Sequence, residues 1–196
     1  MGWPVCAGVA PADRYMIFSA TPIPGVVVVT ATPHRDARGS FARLYCPDEF
    51  AAAGIEFAPT QINLSVNPLR HTLRGLHFQH PPFAEAKLVR AVAGQVWDVA
   101  VDLRAGPGFG RWHGVLLDAA AMNAVFLPEG VAHGFLTLSD GAEVLYQMGR
   151  SYLPGKAQGL RWDDPALGIV WPAAPALIGD ADRGWPLLAD RSDLAQ

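Results

Sequence analysis

Nine short apolar runs, each parted from the next by glycine, proline or a small polar turn, set the rhythm of this chain. They are GVVVVTA (25–31), TQINLSV (60–66), TLRGLHF (72–78), AKLVRAV (86–92), QVWDVAVDLR (95–104), WHGVLLD (112–118), NAVFLP (123–128), HGFLTLS (133–139) and AEVLYQM (142–148). Their β-branched and aromatic content predicts strands, and AGPGFG, PEG and SDG predict the turns between them. No long helical pattern alternates with the runs, so the chain reads as an all-β sandwich or barrel. CPDEFAAAG (46–54) predicts one helix, capped by Asp48 and ended by Gly54.

Alternation within the runs leaves two arrangements open. In QINLS, Gln61, Asn63 and Ser65 share one face, and Ile62 and Leu64 the other. In QVWDVAVDL, Trp97, Val99, Val101 and Leu103 oppose Asp98, Ala100 and Asp102. The polar faces either meet solvent, as in an ordinary amphipathic sheet, or line a pocket inside a barrel whose outer face is covered.

Composition narrows the class. At 196 residues, 51% apolar and 17% charged, the chain suits one folded domain with a sizeable core. A formal charge of −3 speaks against nucleic acid or an anionic membrane as a main partner, and no apolar run reaches a membrane span. Residues 1–15 lack a basic region and are interrupted by Pro4 and Gly8, unlike a secretory signal. Cys6 and Cys46 have no metal or redox spacing, so the expected compartment is the cytoplasm.

Several chemistries lose their usual signals. His71, His77, His80, His113 and His133 include no His-x-His pair, and Phe78 and Gln79 after His77 are not typical ligands, so no metal site is expected. GPGFG (106–110) runs into another strand rather than a helix, which predicts a hairpin turn and not a phosphate loop. Proton transfer remains. His77 suits a base near neutral pH, Lys87 a cation for a developing oxyanion and Tyr146 a weak acid. Singly, each has a plain structural explanation: a packed histidine, a solvated lysine, a core tyrosine.

As a set they resemble a family. HRDARGSF (34–41), QINLS (61–65), TLRGLHFQ (72–79), KLVRAVAGQVWDVAVDLR (87–104), PEGVAHGF (128–135), EVLYQ (143–147), WDDPALGIVWP (162–172) and DADR (180–183) occur in this order. Together they resemble the dTDP-4-dehydrorhamnose 3,5-epimerase family over roughly residues 16–188. The resemblance implies a double-stranded β-helix, the cupin-type jelly roll, with short flanking helices. Residues 1–15 then read as an N-terminal extension and 16–190 as a single jelly-roll domain. It also implies a homodimer that works without metal or organic cofactor on a nucleotide-diphosphate 4-keto-6-deoxyhexose, epimerised at C3 and C5. Alternatives are a single-carbon epimerase, a CDP- or GDP-sugar substrate, a metal-dependent cupin oxygenase and a non-catalytic sugar-binding jelly roll.

By the same resemblance His77 is the base, Lys87 steadies the enolate, Tyr146 is the acid, and Asp182, in preference to Asp180 or Asp98, partners His77. Arg38 and Arg74 match arginines that grip the diphosphate. Gln61 and Asn63 match a base- and sugar-contacting pair, His133 matches a substrate-site histidine, and Tyr152 matches an aromatic that stacks on the nucleobase. Arg43, Ala157 and Ala181 depart from the family pattern; Arg43 stands at a substrate-site position where a glutamate is usual. Arg74 and His77 have opposite parity on an ideal strand, so a shared pocket predicts an irregularity at Gly75.

Overall fold

The structure is a computed structural model that describes residues 15–151, 153 and 155–194. All nine anticipated strands form: β2 (Val27–Ala31), β5 (Gln61–Asn67), β6 (Thr72–Gln79), β7 (Lys87–Ala93), β8 (Gln95–Asp102), β9 (Trp112–Asp118), β10 (Asn123–Leu127), β11 (Val131–Thr137) and β12 (Ala142–Met148). Five further strands lacked a long apolar run: β1 (Met16–Ala20), β3 (His34–Asp36), β4 (Gly39–Phe41), β13 (Ala157–Gly159) and β14 (Leu177–Ile178). Each is recruited by a neighbour rather than by its own composition.

Two sheets face each other as a jelly roll. One has the order β1-β2-β10-β7-β12-β5; the other runs β13-β6-β11-β8-β9, with β14 parallel to β6. Strands β3 and β4 form a separate hairpin whose residues are all exposed. Between the sheets lie Val89, Ala91, Val96, Ala100, Val125, Phe135 and Val144. GPGFG is the predicted hairpin connection, joining antiparallel β8 and β9.

The wet and dry faces are resolved against the simple amphipathic pattern. Asp98 and Ala100 point inward, whereas Val99, Val101 and Leu103 lie on the outer face of their sheet. That outer face is covered by the chain's own C-terminal part, through Leu160, Leu167 and Leu194. Apolar residues therefore serve on both faces, and the polar inward positions are free to line a pocket.

The helix α1 (Pro47–Ala52) corrects one detail. Cys46 occupies the N-cap position with no side-chain cap, and Asp48 lies in the first turn, where a carboxylate still favours the helix dipole. Gly54, at φ +77°, ends it as expected. Six residues are too few for a stable isolated helix. Tertiary burial holds it: Phe50 is fully buried among Phe18, Tyr45, Phe57 and Phe126. A second short helix, α2 (Asp180–Arg183), follows β14 and brings Asp182 beside β6.

Candidate active site

A cavity of about 280 Å³ opens between the sheets, lined by Asn63 and Ser65 of β5, Arg74 and His77 of β6, Lys87 of β7, His133 of β11, and Tyr146 and Met148 of β12. Five sheet strands from two sheets thus contribute, and each polar side chain occupies an inward position of its strand. Rigid strands fix such groups more closely than loops would.

The parity conflict between Arg74 and His77 is removed at Gly75. Opposite β11, Arg74 pairs with Phe135 and His77 with His133, so Gly75 and Leu76 share the single partner Gly134. This bulge turns both side chains toward the cavity. Glycine is required on both strands. Gly75 has φ +130°, and a Cβ there would lie 2.5 Å from Gly134 Cα. A Cβ on Gly134 would lie 2.7 Å from the Arg74 carbonyl oxygen. The Gly75–Leu76 peptide is cis.

The bulge also leaves the Gly75 N–H for another acceptor. It donates to Asp182 Oδ2 at 3.0 Å, while Asp182 Oδ1 lies 2.6 Å from His77 Nε2 and accepts the Trp185 indole N–H at 3.1 Å. Burial alone would raise the Asp182 pKa, but these bonds, His77 foremost, outweigh it and hold the carboxyl below its usual range. An ionised carboxylate only accepts, so Nε2 carries the hydrogen and Nδ1 keeps a lone pair. Of the three aspartates considered, Asp182 therefore faces His77. Asp180 is exposed, and Asp98 faces His133 instead, with Oδ2 3.0 Å from His133 Nδ1. That second contact is close yet poorly aligned for a hydrogen bond.

Lys87 is buried, with Nζ 3.1 Å from Glu85 Oε1; the other Glu85 oxygen accepts from Gln79. Tyr146 is half-buried and stacks edge-on against His133 at 5.7 Å. Desolvation first, and the nearby Asp98 charge second, push its phenol above the ordinary range.

Other anticipated residues fall elsewhere. Gln61 sits at the start of β5 and donates to Asn63 Oδ1 at 2.9 Å, beside rather than within the lining. Arg38 is on the exposed β3–β4 hairpin, paired with Asp36 at 2.6 Å. Arg43 is not brought to the cavity: it binds Glu49 at 2.9 Å and stacks over Tyr15. Tyr152 lies outside the described residues. Ala157 and Ala181 are both exposed. Among the described residues, no three His, Cys, Asp or Glu side chains converge as metal ligands would.

The sequence reading passed over Asn67, Gln79, Glu85 and Trp185. The first three stand behind lining residues: Asn67 beside Arg74, and Glu85 and Gln79 behind Lys87. His80 holds the C-terminal segment through Asp193 at 2.7 Å.

A model of the dTDP-4-dehydrorhamnose 3,5-epimerase family matches residues 20–190. The chain belongs to that family. It is 40% identical to the dTDP-4-dehydrorhamnose 3,5-epimerase of Shigella flexneri, with 83% of this chain and 90% of that protein covered. It is 41% identical to the dTDP-4-dehydrorhamnose 3-epimerase of Streptomyces niveus, covering 87% and 83%. The solved dTDP-6-deoxy-D-glucose-3,5-epimerase of Legionella pneumophila, in complex with dTDP-4-keto-L-rhamnose, superimposes with a TM-score of 0.86 at 32% identity, over 92% of this chain and 97% of that one. The chain is accordingly an isomerase of the epimerase class.

Proposed function

We propose that residues 16–190 form the catalytic unit, which inverts C5 and C3 of a dTDP-linked 4-keto-6-deoxyhexose without a cofactor. The observation that carries this reading is the His77–Asp182 pair, with its free Nδ1 in a cavity that Lys87 and Tyr146 share. The C4 ketone makes the neighbouring C–H bonds acidic. Nδ1 of His77 takes the proton, and the electron pair moves onto the C4 oxygen as an enolate. The Lys87 ammonium steadies that oxygen, a contribution of several kcal/mol in a site poor in water. Tyr146 returns a proton to the opposite face of the carbon. A phenol kept above its ordinary range yields its proton only to a strong base, which an enolate carbon is. Exchange with solvent then moves the proton from imidazolium to phenolate and closes the cycle.

Arg74 meets the diphosphate, with Asn63 and His133 against the sugar and nucleotide. Arg38 does not line this cavity and is paired with Asp36 on the exposed hairpin, so its assigned role calls for a second copy of the chain. A homodimer is supported by the bare outer face of edge strand β5, where Ile62, Leu64 and Val66 are 61%, 53% and 53% exposed. Light scattering of the purified protein tests the dimer; a monomer at working concentration refutes it. The cytoplasm is the proposed location; no helix among the described residues is long and apolar enough to cross a membrane.

Inversion at C3 alone is the second reading, favoured by the equally similar 3-epimerase of Streptomyces niveus. Deuterium uptake from D2O decides between them. Wild type should label both C3 and C5, and His77→Asn neither. Label at C3 alone supports the second reading, and undiminished exchange in His77→Asn removes His77 as the base.

A further inference from the structure

Positive and positivable groups in the cavity are mostly backed by carboxylates. Lys87 faces Glu85 at 3.1 Å, His77 faces Asp182 at 2.6 Å and His133 faces Asp98 at 3.0 Å. Arg74 is the exception: its Nε donates to the amide oxygen Oδ1 of Asn67 at 2.8 Å. Its terminal nitrogens make no hydrogen bond to a described residue, and the side chain lines the cavity.

Asn67 is 1% exposed and fully engaged. Its Nδ2 donates to the carbonyl oxygens of Ser65 at 3.2 Å and Ala142 at 3.1 Å. Those two acceptors fix the amide, so that Oδ1 alone can face Arg74. The bond links β5 of one sheet to β6 of the other, across the short connection 68–71. A guanidinium on a flexible stem loses rotamer freedom on meeting a ligand, and a preformed Nε bond removes part of that cost beforehand. A carboxylate at the same place could still accept from Arg74, but it would set an oxygen against the Ser65 and Ala142 carbonyls and would cancel the arginine charge toward a second anion. An amide orients without cancelling.

We propose that Asn67 is a positioning residue that aims Arg74 and, being neutral, leaves the whole arginine charge to the substrate's diphosphate. This rests on the reading that Arg74 meets the diphosphate. Binding of dTDP and of thymidine, which lacks the phosphates, is measured by calorimetry for wild type, Asn67→Asp, Asn67→Ala, Arg74→Met and the Arg74→Met variants of both. The ratio of the two affinities is the readout, because a general loosening of the pocket moves both ligands together. Asn67→Asp should lower the dTDP-to-thymidine ratio at least tenfold and flatten the salt dependence of dTDP binding. Asn67→Ala, which adds no charge, should lower it several-fold. In the Arg74→Met background neither should matter.

Thermal unfolding checks that each variant folds; if Asn67→Asp does not, Asn67→Ala decides alone. An unchanged ratio in a folded Asn67 variant, or an effect that persists without Arg74, overturns the proposal. An unchanged ratio in Arg74→Met overturns instead the reading that Arg74 meets the diphosphate.

Discussion

The backbone N–H of Gly75 donates to Asp182 at 3.0 Å, and the same carboxylate holds His77 at 2.6 Å. The residue that bends β6 thus also anchors the aspartate that orients the base two positions further on.

Replacing Gly75 by alanine should therefore damage stability and activity together. The added Cβ would meet Gly134 Cα at 2.5 Å, and φ +130° is costly for any L side chain. A loss of about 3 kcal/mol or more is expected in denaturant unfolding, from strain and overpacking combined. A variant as stable as wild type would contradict the tight approach of β6 and β11.

Asp182→Asn separates orientation from charge. The amide oxygen can still accept the Gly75 N–H, but the ionised partner of His77 is gone. The rate of deuterium exchange should fall by about 10²–10⁴, the usual range for impaired general acid–base catalysis. Nucleotide binding should change little, as measured with dTDP.

Acid sensitivity follows from the same carboxylate. Its pKa is lowered on folding, so its stabilising contribution is present above the ordinary carboxylate value of about 3.9. That contribution is lost as pH falls through the lower folded-state value. Wild type should therefore lose stability more steeply than Asp182→Asn below about pH 4 in acid unfolding monitored by circular dichroism.

Tyr146 works in the opposite sense. Desolvation raises its pKa, so the neutral phenol persists above about pH 10, where an exposed tyrosine ionises. An ultraviolet phenolate titration, wild type minus Tyr146→Phe, should give a difference that rises only beyond that value. A difference curve centred at the ordinary value would remove the desolvated environment argued for the acid.

Glu85→Ala should expose the cost of an unpaired buried cation. Lys87 is 6% exposed and has Glu85 as its anion. Removing one member of a buried pair costs about 3–5 kcal/mol, so unfolding should shift by that order. Glu85→Gln, which keeps an acceptor, should lose less.

How far the sequence reaches is clearest along β6. Val, Leu and Phe at strand spacing, with glycine and proline between runs, determined the nine principal strands and the all-β class, because backbone preference and turn chemistry are local. The motif residues His77, Lys87, His133, Tyr146 and Asp182 were legible as a set, and Gly75 as the place where β6 had to bend. Strand composition could not settle which face of β8 was buried. That depended on the distant residues Leu160, Leu167 and Leu194 covering Val99 and Val101. Nor could it find β1, β13 and β14, which exist only because a neighbour offers hydrogen bonds. Asn67 and Glu85 were silent for the same reason: each matters through one contact, with Arg74 or Lys87, whose geometry needs the sheets packed. Local periodicity chose the elements, and long-range packing decided which polar side chains meet.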